Sequence, residues 1–397
     1  MKIENIRLKN FRSFKEAGIR EIPDFCVMVG ANGAGKSTLF DVFGFLKDAL
    51  TGNVQAALGK RGGFNEVRTR SSEGAIEVEI KFRFRPRPEE SQKRATYLLA
   101  VNEKDGAPFV EREELRCRRG GHGRPWKLLS FANGEGEAVV NEIDDVESDK
   151  DLKREKQKLA NPGILAIKGL AQFQRYPAVV ELGKMIENWH LSDFHISGAR
   201  TSTPDAAVAE HLSREGENLA LVAQYLYERH PEKFREILKR LARRVPGLSG
   251  VEGKTTEEGR VLLKFKDEAF KDPFPVRYVS DGTVKMFAYL VLLYDPSPHP
   301  LLCVEEPENQ IYPALLAELA EEFADYAKEG RQVFVSTHSP DFLNAVDLDS
   351  VFWLVKKDGF TEVRRARDDQ QIAAFMAEGD QMGYLWKQGF FPGADPG

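Results

Sequence analysis

The stretch GANGAGKS, Gly30 to Ser37, limits what this chain can fold into more than any other part of it. It satisfies the pattern GxxxxGK[ST] throughout. Before it runs FCVMVG, Phe25 to Gly30, continuously apolar as a central strand covered on both faces must be. After it comes STLFDVFGFLKDAL, in which Leu39, Val42, Phe43 and Leu46 share one helical face. Strand, glycine-rich loop and helix in that order make a phosphate cradle. The glycines permit a tight turn, successive N–H groups point inward at phosphate oxygens, and the helix N-terminus adds its positive end. In such a cradle Lys36 reaches the β- and γ-phosphates and the Ser37 hydroxyl ligates magnesium. Nucleotide binding follows. Kinases, GTPases, transporters and DNA-repair ATPases all share the loop, so other motifs must choose among them.

The stretch LLCVEEPENQIYP, Leu301 to Pro313, is the second constraint. Four apolar residues lead into Glu305 and Glu306, and a third acid, Glu308, follows Pro307. In a parallel sheet ligands sit at the carboxyl ends of the strands, which is where this doublet falls. One carboxylate can hold a metal or its water while the neighbour orients or deprotonates an attacking water. Adjacent strand residues point to opposite sides, so the two need not share one role. VFVSTHSP is another buried strand ending in polar groups, with His338 in reach of a γ-phosphate; a histidine in this setting is also an ordinary structural residue. RYVSDGT, Arg277 to Thr283, starts an apolar helix with Ser280 or Asp281 as its cap, and that helix end is a second place for phosphate.

MKIENIRLKNFRSF alternates loosely and suggests a strand at the margin of a sheet, while Ile76 to Phe131 reads as several antiparallel strands. Residues 141–161 are densely charged and suggest an exposed helix or a connection. EKFREILKRLARRVPG is an amphipathic helix on Phe234, Ile237, Leu238 and Leu241 that stops at Pro246 and Gly247. The final third alternates helices, Thr283 to Tyr294 and Pro313 to Lys328, with strands, Leu301 to Val304 and Gln332 to Ser336. That alternation predicts a parallel sheet.

The totals exclude several classes. With 397 residues and 42% hydrophobic composition the chain can bury a large core. No apolar run is long enough to cross a membrane, and Met1 leads directly into a strand-like pattern, so a cytoplasmic protein without a membrane partner is expected. Cys26, Cys117 and Cys303 lie far apart, with no CxxC pair and no histidine at ligand spacing, which suggests neither a disulfide framework nor a zinc site. A net charge of −5 argues against a uniformly basic nucleic-acid coat but permits local patches. REELRCRRGGHGRPWK, KFRFRPR and the group Lys239, Arg240, Arg243 and Arg244 are such candidates. Each reads either as a salt-bridged surface or as a salt-sensitive DNA contact.

Together the motifs resemble the ABC-type ATPase heads of the structural-maintenance-of-chromosomes (SMC), Rad50, RecF and overcoming-lysogeny-defect families. NFRSF, which contains Arg12, is similar to the first-strand ending of these heads, GANGAGKS to their Walker A and LLCVEE to their Walker B. YVSDGT resembles a degenerate ABC signature and STHSP the switch-histidine segment. REGENLALVAQYL, EEPENQIYP and GYLWKQGFF are similar to stand-alone bacterial ATPases of this AAA/ABC group, so the resemblance spans nearly the whole chain.

The resemblance implies an α/β P-loop NTPase with an ABC-type head: a mixed sheet core, an antiparallel β subdomain and a helical lobe. It divides the chain into a first lobe at 1–180, a helical and β insert at 181–282, the Walker B and switch-histidine core at 283–350, and a hairpin with short helices at 351–397. The cofactors implied are ATP and Mg2+. Gly30, Asn32, Gly33, Ala34, Gly35, Lys36, Ser37, Thr38 and Arg12 would hold the nucleotide, with Ser37 and Glu305 on the metal, partly through water. Glu306 would be the catalytic base and His338 the γ-phosphate sensor. Ser280 and Gly282 would reach the ATP of a second copy, making an ATP-dependent homodimer. The Q-loop glutamine would be Gln172, with Gln174 as the alternative. Two departures are plain: Glu305 stands where many relatives carry aspartate, and VSDGT replaces LSGGQ. No sustained heptads lie between Ser37 and Ser280, so no long coiled-coil arm is expected, and roughly 55 residues past Pro340 leave little room for a fused nuclease. The implied function is an ATP-hydrolysing switch acting with a separately encoded partner, such as a nuclease, in DNA repair or anti-phage defence. The alternatives are a RecF-like recombination mediator acting directly on DNA, a transporter energiser, which the signature and insert fit poorly, and a P-loop kinase.

Overall fold

Alternate residues of Phe25–Val29 (β3) face opposite cores, which is why the segment carries no polar position. Cys26 and Met28 pack into one hydrophobic cluster, and Phe25, Val27 and Val29 into another. A computed structural model of the chain describes residues 2–84, 92–118, 125–140, 148–194, 196–199, 203–204, 209–255, 257 and 260–394. In it β3 lies within a sheet that also contains β10 (His190–Ser192), β15 (Leu301–Glu305), β16 (Gln332–Ser336), β17 (Val351–Lys357) and β18 (Phe360–Arg365). The order is β10-β15-β16-β3-β17-β18, parallel except where β17 turns into β18. The chain thus leaves β3 and returns to its flanks with β16 and β17 from far along the sequence.

One face of this sheet is covered by the helix Lys36–Thr51 (α1) and by Pro177–Glu187. The opposite face is covered by the helices Asp281–Leu293 and Leu316–Lys328, with Leu219–Arg229 and Pro231–Arg244 packed beyond them in the same hydrophobic cluster. α1 is buried well beyond the stripe its sequence suggests, with Phe40, Phe45, Ala49 and Leu50 inside as well, because a second sheet closes over it. Pro313 begins a 3-10 turn, and the α-helix starts only at Leu316.

That second sheet is antiparallel: β1 (Lys2–Phe11), β2 (Phe14–Ile19), β4 (Ile76–Phe84), β5 (Lys93–Lys104), β6 (Ala107–Arg118), β7 (Trp126–Ala132), β8 (Glu135–Val139) and β9 (Arg154–Lys158), in the order β2-β1-β4-β5-β6-β7-β8-β9. β1 sits one strand in from the edge, with β2 outside it. The charged segment expected to be a helix or connection is different where it is described: Arg154–Lys158 is an edge strand on β8. Its alternating charges suit an edge, where they discourage pairing with another chain; the first part of that segment, 141–147, lies outside the described residues. A small third sheet, β11 (Thr203–Pro204), β12 (Leu248–Thr255), β13 (Arg260–Asp267) and β14 (Phe274–Pro275), leads into the Asp281–Leu293 helix. Among the described residues no helix is long and apolar enough to cross a membrane, and α1, at 16 residues, is the longest. The three cysteines are buried and free.

Candidate active site

The phosphate loop joins β3 to α1 and is clamped from the far end of the chain. A Cβ on Gly30 would lie 2.6 Å from the Leu354 carbonyl, so only glycine lets β17 pass this close. Gly35 has φ +110 and faces Thr361, whose hydroxyl donates to the Ala34 carbonyl at 2.8 Å and lies 2.8 Å from the Ser13 hydroxyl. Asn32, Gly33 and Ser37 are exposed, Thr38 is half-buried and Ala34 is buried. Lys36 folds back over the loop, its ammonium donating to the carbonyls of Gly30 at 2.8 Å and Ala31 at 3.3 Å. Burial pushes this ammonium below its ordinary pKa, against the opposing pull of Glu306, Glu308 and Glu305.

Those three acids stand at the carboxyl end of β15. Glu305, its last residue, is pushed up by burial and held back by the Ser37 hydroxyl and by Arg214, 3.6 Å away, while Asp193 and Glu306 push it further up. Glu306 leaves the strand in the left-handed region, φ +42, its N–H donating to the Ser336 carbonyl at 2.9 Å. This turn points its carboxylate away from the strand line: Asn309 donates to Oε2 at 3.0 Å, and His338 Nε2 lies 3.5 Å from Oε1. The His338 backbone N–H donates to Glu308 Oε1 at 2.6 Å, coupling the ends of β15 and β16. Burial, then the nearby Lys36 charge, lower the His338 pKa, so the imidazole is neutral near pH 7. Glu308 is raised, chiefly by burial.

The fold therefore gathers Lys36, Ser37, Glu305, Glu306 and His338 around the ends of β3, β15 and β16. Such a set can hold a hard cation and a polyphosphate, since hydroxyl and carboxylate oxygens suit magnesium. Acids pushed toward protonation chiefly by burial, as Glu305 and Glu308 are, are also what a bound cation would relieve.

Other sequence-predicted residues lie apart from this set. Ser280 is the N-cap of the Asp281–Leu293 helix and accepts from the Thr283 N–H at 3.3 Å, which decides between Ser280 and Asp281 as the cap. Gly282 abuts the loop after Glu306, since a Cβ there would sit 2.7 Å from the Gln310 carbonyl. Arg12 pairs with Asp41 of α1 at 3.1 Å, an acid that Arg61 also holds at 2.7 Å. Gln172 and Gln174 are exposed on the turn between the helices Ala166–Leu170 and Pro177–Glu187.

Several groups escaped the sequence reading. Asp193 follows β10, which pairs with β15 up to Ser192 and Val304, so it emerges beside Glu305. Arg214 reaches Glu305 from a loop. Lys285, buried one turn into the Asp281–Leu293 helix, feels Glu308, Asp193 and Glu306. Glu308 had a legible signal, as the third acid of EEPE; the others depend on pairings between distant segments.

The basic clusters divide. Arg240 and Arg244 turn inward onto Glu322, at 3.0 and 2.6 Å, and leave only Lys239 and Arg243 of that group exposed. On the antiparallel sheet the cross-strand register lines up Lys2, Arg83, Arg94 and Arg118 as direct neighbours over β1, β4, β5 and β6. Lys81, Arg112, Arg116 and Lys127 of the same two clusters pair with Glu79, Glu77 and Glu114, and positions 85–87 and 119–124 lie outside the described residues.

Residues 25–344 match the family model described as AAA domain, putative AbiEii toxin, Type IV TA system. The chain belongs to that family. This AAA-domain chain is also similar to a solved SMC head bound to the C-winged helix domain of ScpA, at 16% identity and TM-score 0.56, covering 92% of this chain and 98% of that one. An Smc head domain with an extended coiled coil, bound to the C-terminal domain of ScpA derived from Pyrococcus furiosus, matches at 16% identity and TM-score 0.54, covering 95% and 99%. At this identity the likeness is one of fold. The fold is that of a P-loop NTPase with an ABC-type ATPase head. No curated protein matches the chain.

Proposed function

We propose that this AAA-domain chain is an ATP-hydrolysing switch whose heads pair around ATP and pass the change to a separately encoded partner in DNA repair or defence. The observation that carries this reading is the position of Glu306, turned out of β15 by its left-handed backbone and held by Asn309 within reach of His338 and the phosphate loop. Bound Mg2+ and ATP would supply the electrophilic phosphorus and the countercharge that the acids lack. Lys36 would then exchange the carbonyls of Gly30 and Ala31 for phosphate oxygens. Ser37 and Glu305 would hold the cation, Glu306 would take the proton of the attacking water, and neutral His338 would contact the γ-phosphate. Asn32, Gly33, Gly35 and Thr38 would line the phosphates. Ser280 and Gly282 would face the nucleotide of a second copy, for which the exposed cap at Ser280 is suited.

Glu306→Gln tests the assignment. ATP turnover should fall by roughly 10² to 10⁴ while ATP binding survives, and light scattering should show an ATP-dependent dimer. That trapped dimer is also the bait for the partner. Turnover retained at the wild-type rate would overturn the role of Glu306; a variant that stays monomeric with ATP would overturn the pairing.

Direct DNA contact is a second reading, favoured by the row Lys2, Arg83, Arg94 and Arg118. Like charges placed directly opposite one another destabilise a sheet, and here Glu4 is shared between Arg83 and Arg94. DNA affinity should drop steeply with salt and drop again in Arg83→Glu with Arg94→Glu. Affinity indifferent to both would remove this reading.

A further inference from the structure

We propose a second metal site, for a zinc-class transition ion, at the opposite end of the parallel sheet from the nucleotide. Its ligands are His211, Asp295 and His299. One ligand atom from each lies within 4.8 Å of the others, although the three residues come from two separate segments of the chain. Asp295 and His299 sit in the connection from the Asp281–Leu293 helix to β15, before the strand begins, whereas Glu305 ends that strand. The two sites therefore occupy opposite ends of β15.

The donor chemistry points to a metal rather than to a packed histidine cluster. His299 is buried, and its Nδ1 lies 3.1 Å from the Asn188 carbonyl, an acceptor only, so the ring proton is on Nδ1. Its Nε2 is left as a bare lone pair, buried and without a hydrogen-bond partner. A ligating histidine is commonly held in this way, its other ring nitrogen donating to a carbonyl that fixes tautomer and orientation. His211 Nδ1 and Asp295 Oδ2 are 2.7 Å apart and share a proton, which an ion would displace. The other Asp295 oxygen accepts from the Ser297 N–H at 2.8 Å, which holds the carboxylate in place. His190, the first residue of β10, stacks on His299 with ring centroids 4.7 Å apart, and its own Nε2 is buried without a partner. It is the candidate for a fourth ligand. Lys47, a nearby cation, is turned onto the Trp189 carbonyl at 2.6 Å.

Access and adjustment are both available. A cleft of about 400 Å³ reaches His211 and His299 between Glu181, Lys184, Asn188 and Pro298. Tetrahedral coordination at about 2.0–2.1 Å would need the donor atoms to close to roughly 3.3 Å. His211, exposed and on a loop, is the ligand best placed to make that adjustment. Nitrogen and carboxylate donors of this kind suit zinc better than magnesium. The ion would also pin the segment that, three residues on, sends Arg214 to Glu305.

The test uses the full chain, stripped with a chelator and titrated with Zn2+ alone, without nucleotide, against a chromophoric competitor. One Zn2+ per chain at low micromolar concentration or tighter is expected, with a rise in melting temperature. His211→Ala should weaken binding by roughly 100-fold and abolish that rise. His299→Gln, which keeps the buried volume, should do the same, and circular dichroism checks that both fold. Glu306→Gln should leave this binding unchanged, separating it from the nucleotide site. No stoichiometric zinc on the wild type, or affinity unaltered by His211→Ala and His299→Gln, overturns the proposal.

Discussion

Glu306 offers a measurement in which the backbone and the carboxylate can be separated. At φ +42 it occupies the left-handed region, where an L-residue costs about 1–2 kcal/mol relative to its ordinary conformations. Glycine escapes that cost but loses more chain freedom on folding, which opposes it by about 0.5–1 kcal/mol. Glu306→Gly and Glu306→Ala both lose the bond from Asn309 and the contact with His338, and both relieve the repulsion from Glu305, so these effects cancel in their comparison. The glycine variant should therefore be the more stable of the two by about 0.5–1 kcal/mol. Urea unfolding followed by tryptophan fluorescence, with midpoints compared at equal slope, reads this difference. Phosphate release on the same two proteins should be lost alike. An alanine variant as stable as the glycine one would refute the strain. A glycine variant that still turned over ATP would refute the need for the carboxylate.

Two further outcomes are expected away from that residue. Glu322→Ala removes the shared acceptor of Arg240, Arg244 and the Tyr294 hydroxyl and should cost about 3 kcal/mol in urea unfolding; a loss below about 1 kcal/mol would mean that Glu236 and Glu318, which already pair with Arg240 and Arg244, suffice to hold them. Burial pushes Glu113 up from 4.5 to about 7, although it accepts from the N–H groups of Ala166 and Ile167. The folded chain keeps a proton there that the unfolded chain releases, so stability should be highest below pH 4.5 as far as this group is concerned, and fall as pH rises toward 7. At about 1.4 kcal/mol per unit the fall is at most about 3 kcal/mol, and Glu113→Gln should flatten it; an unchanged slope would clear Glu113 of the effect.

What the sequence made legible was local. The run Phe25 to Gly30 could only be a strand covered twice, and Leu301 to Glu306 could only deliver acids to a strand end, because burial and period leave few other solutions. Arg154–Lys158 misled because its charges look like those of an exposed helix, and only the presence of β8 beside it makes a strand. Asp193 and Arg214 were invisible for a related reason: each reaches Glu305 through a pairing or a loop that no spacing encodes. Arg240 and Arg244 looked like surface cations until Glu322, some 80 positions away, turned them inward.

The hydroxyl of Thr361, laid against the phosphate loop by the last hairpin of the sheet, has a consequence in time. A ribosome makes Thr361 roughly 330 residues after Gly30, a delay of about 15–65 s at roughly 5–20 residues per second. Throughout that interval β3 lacks the neighbour β17, and the Ala34 carbonyl lacks its donor. The nascent chain thus carries the nucleotide loop through that whole interval before it can brace it.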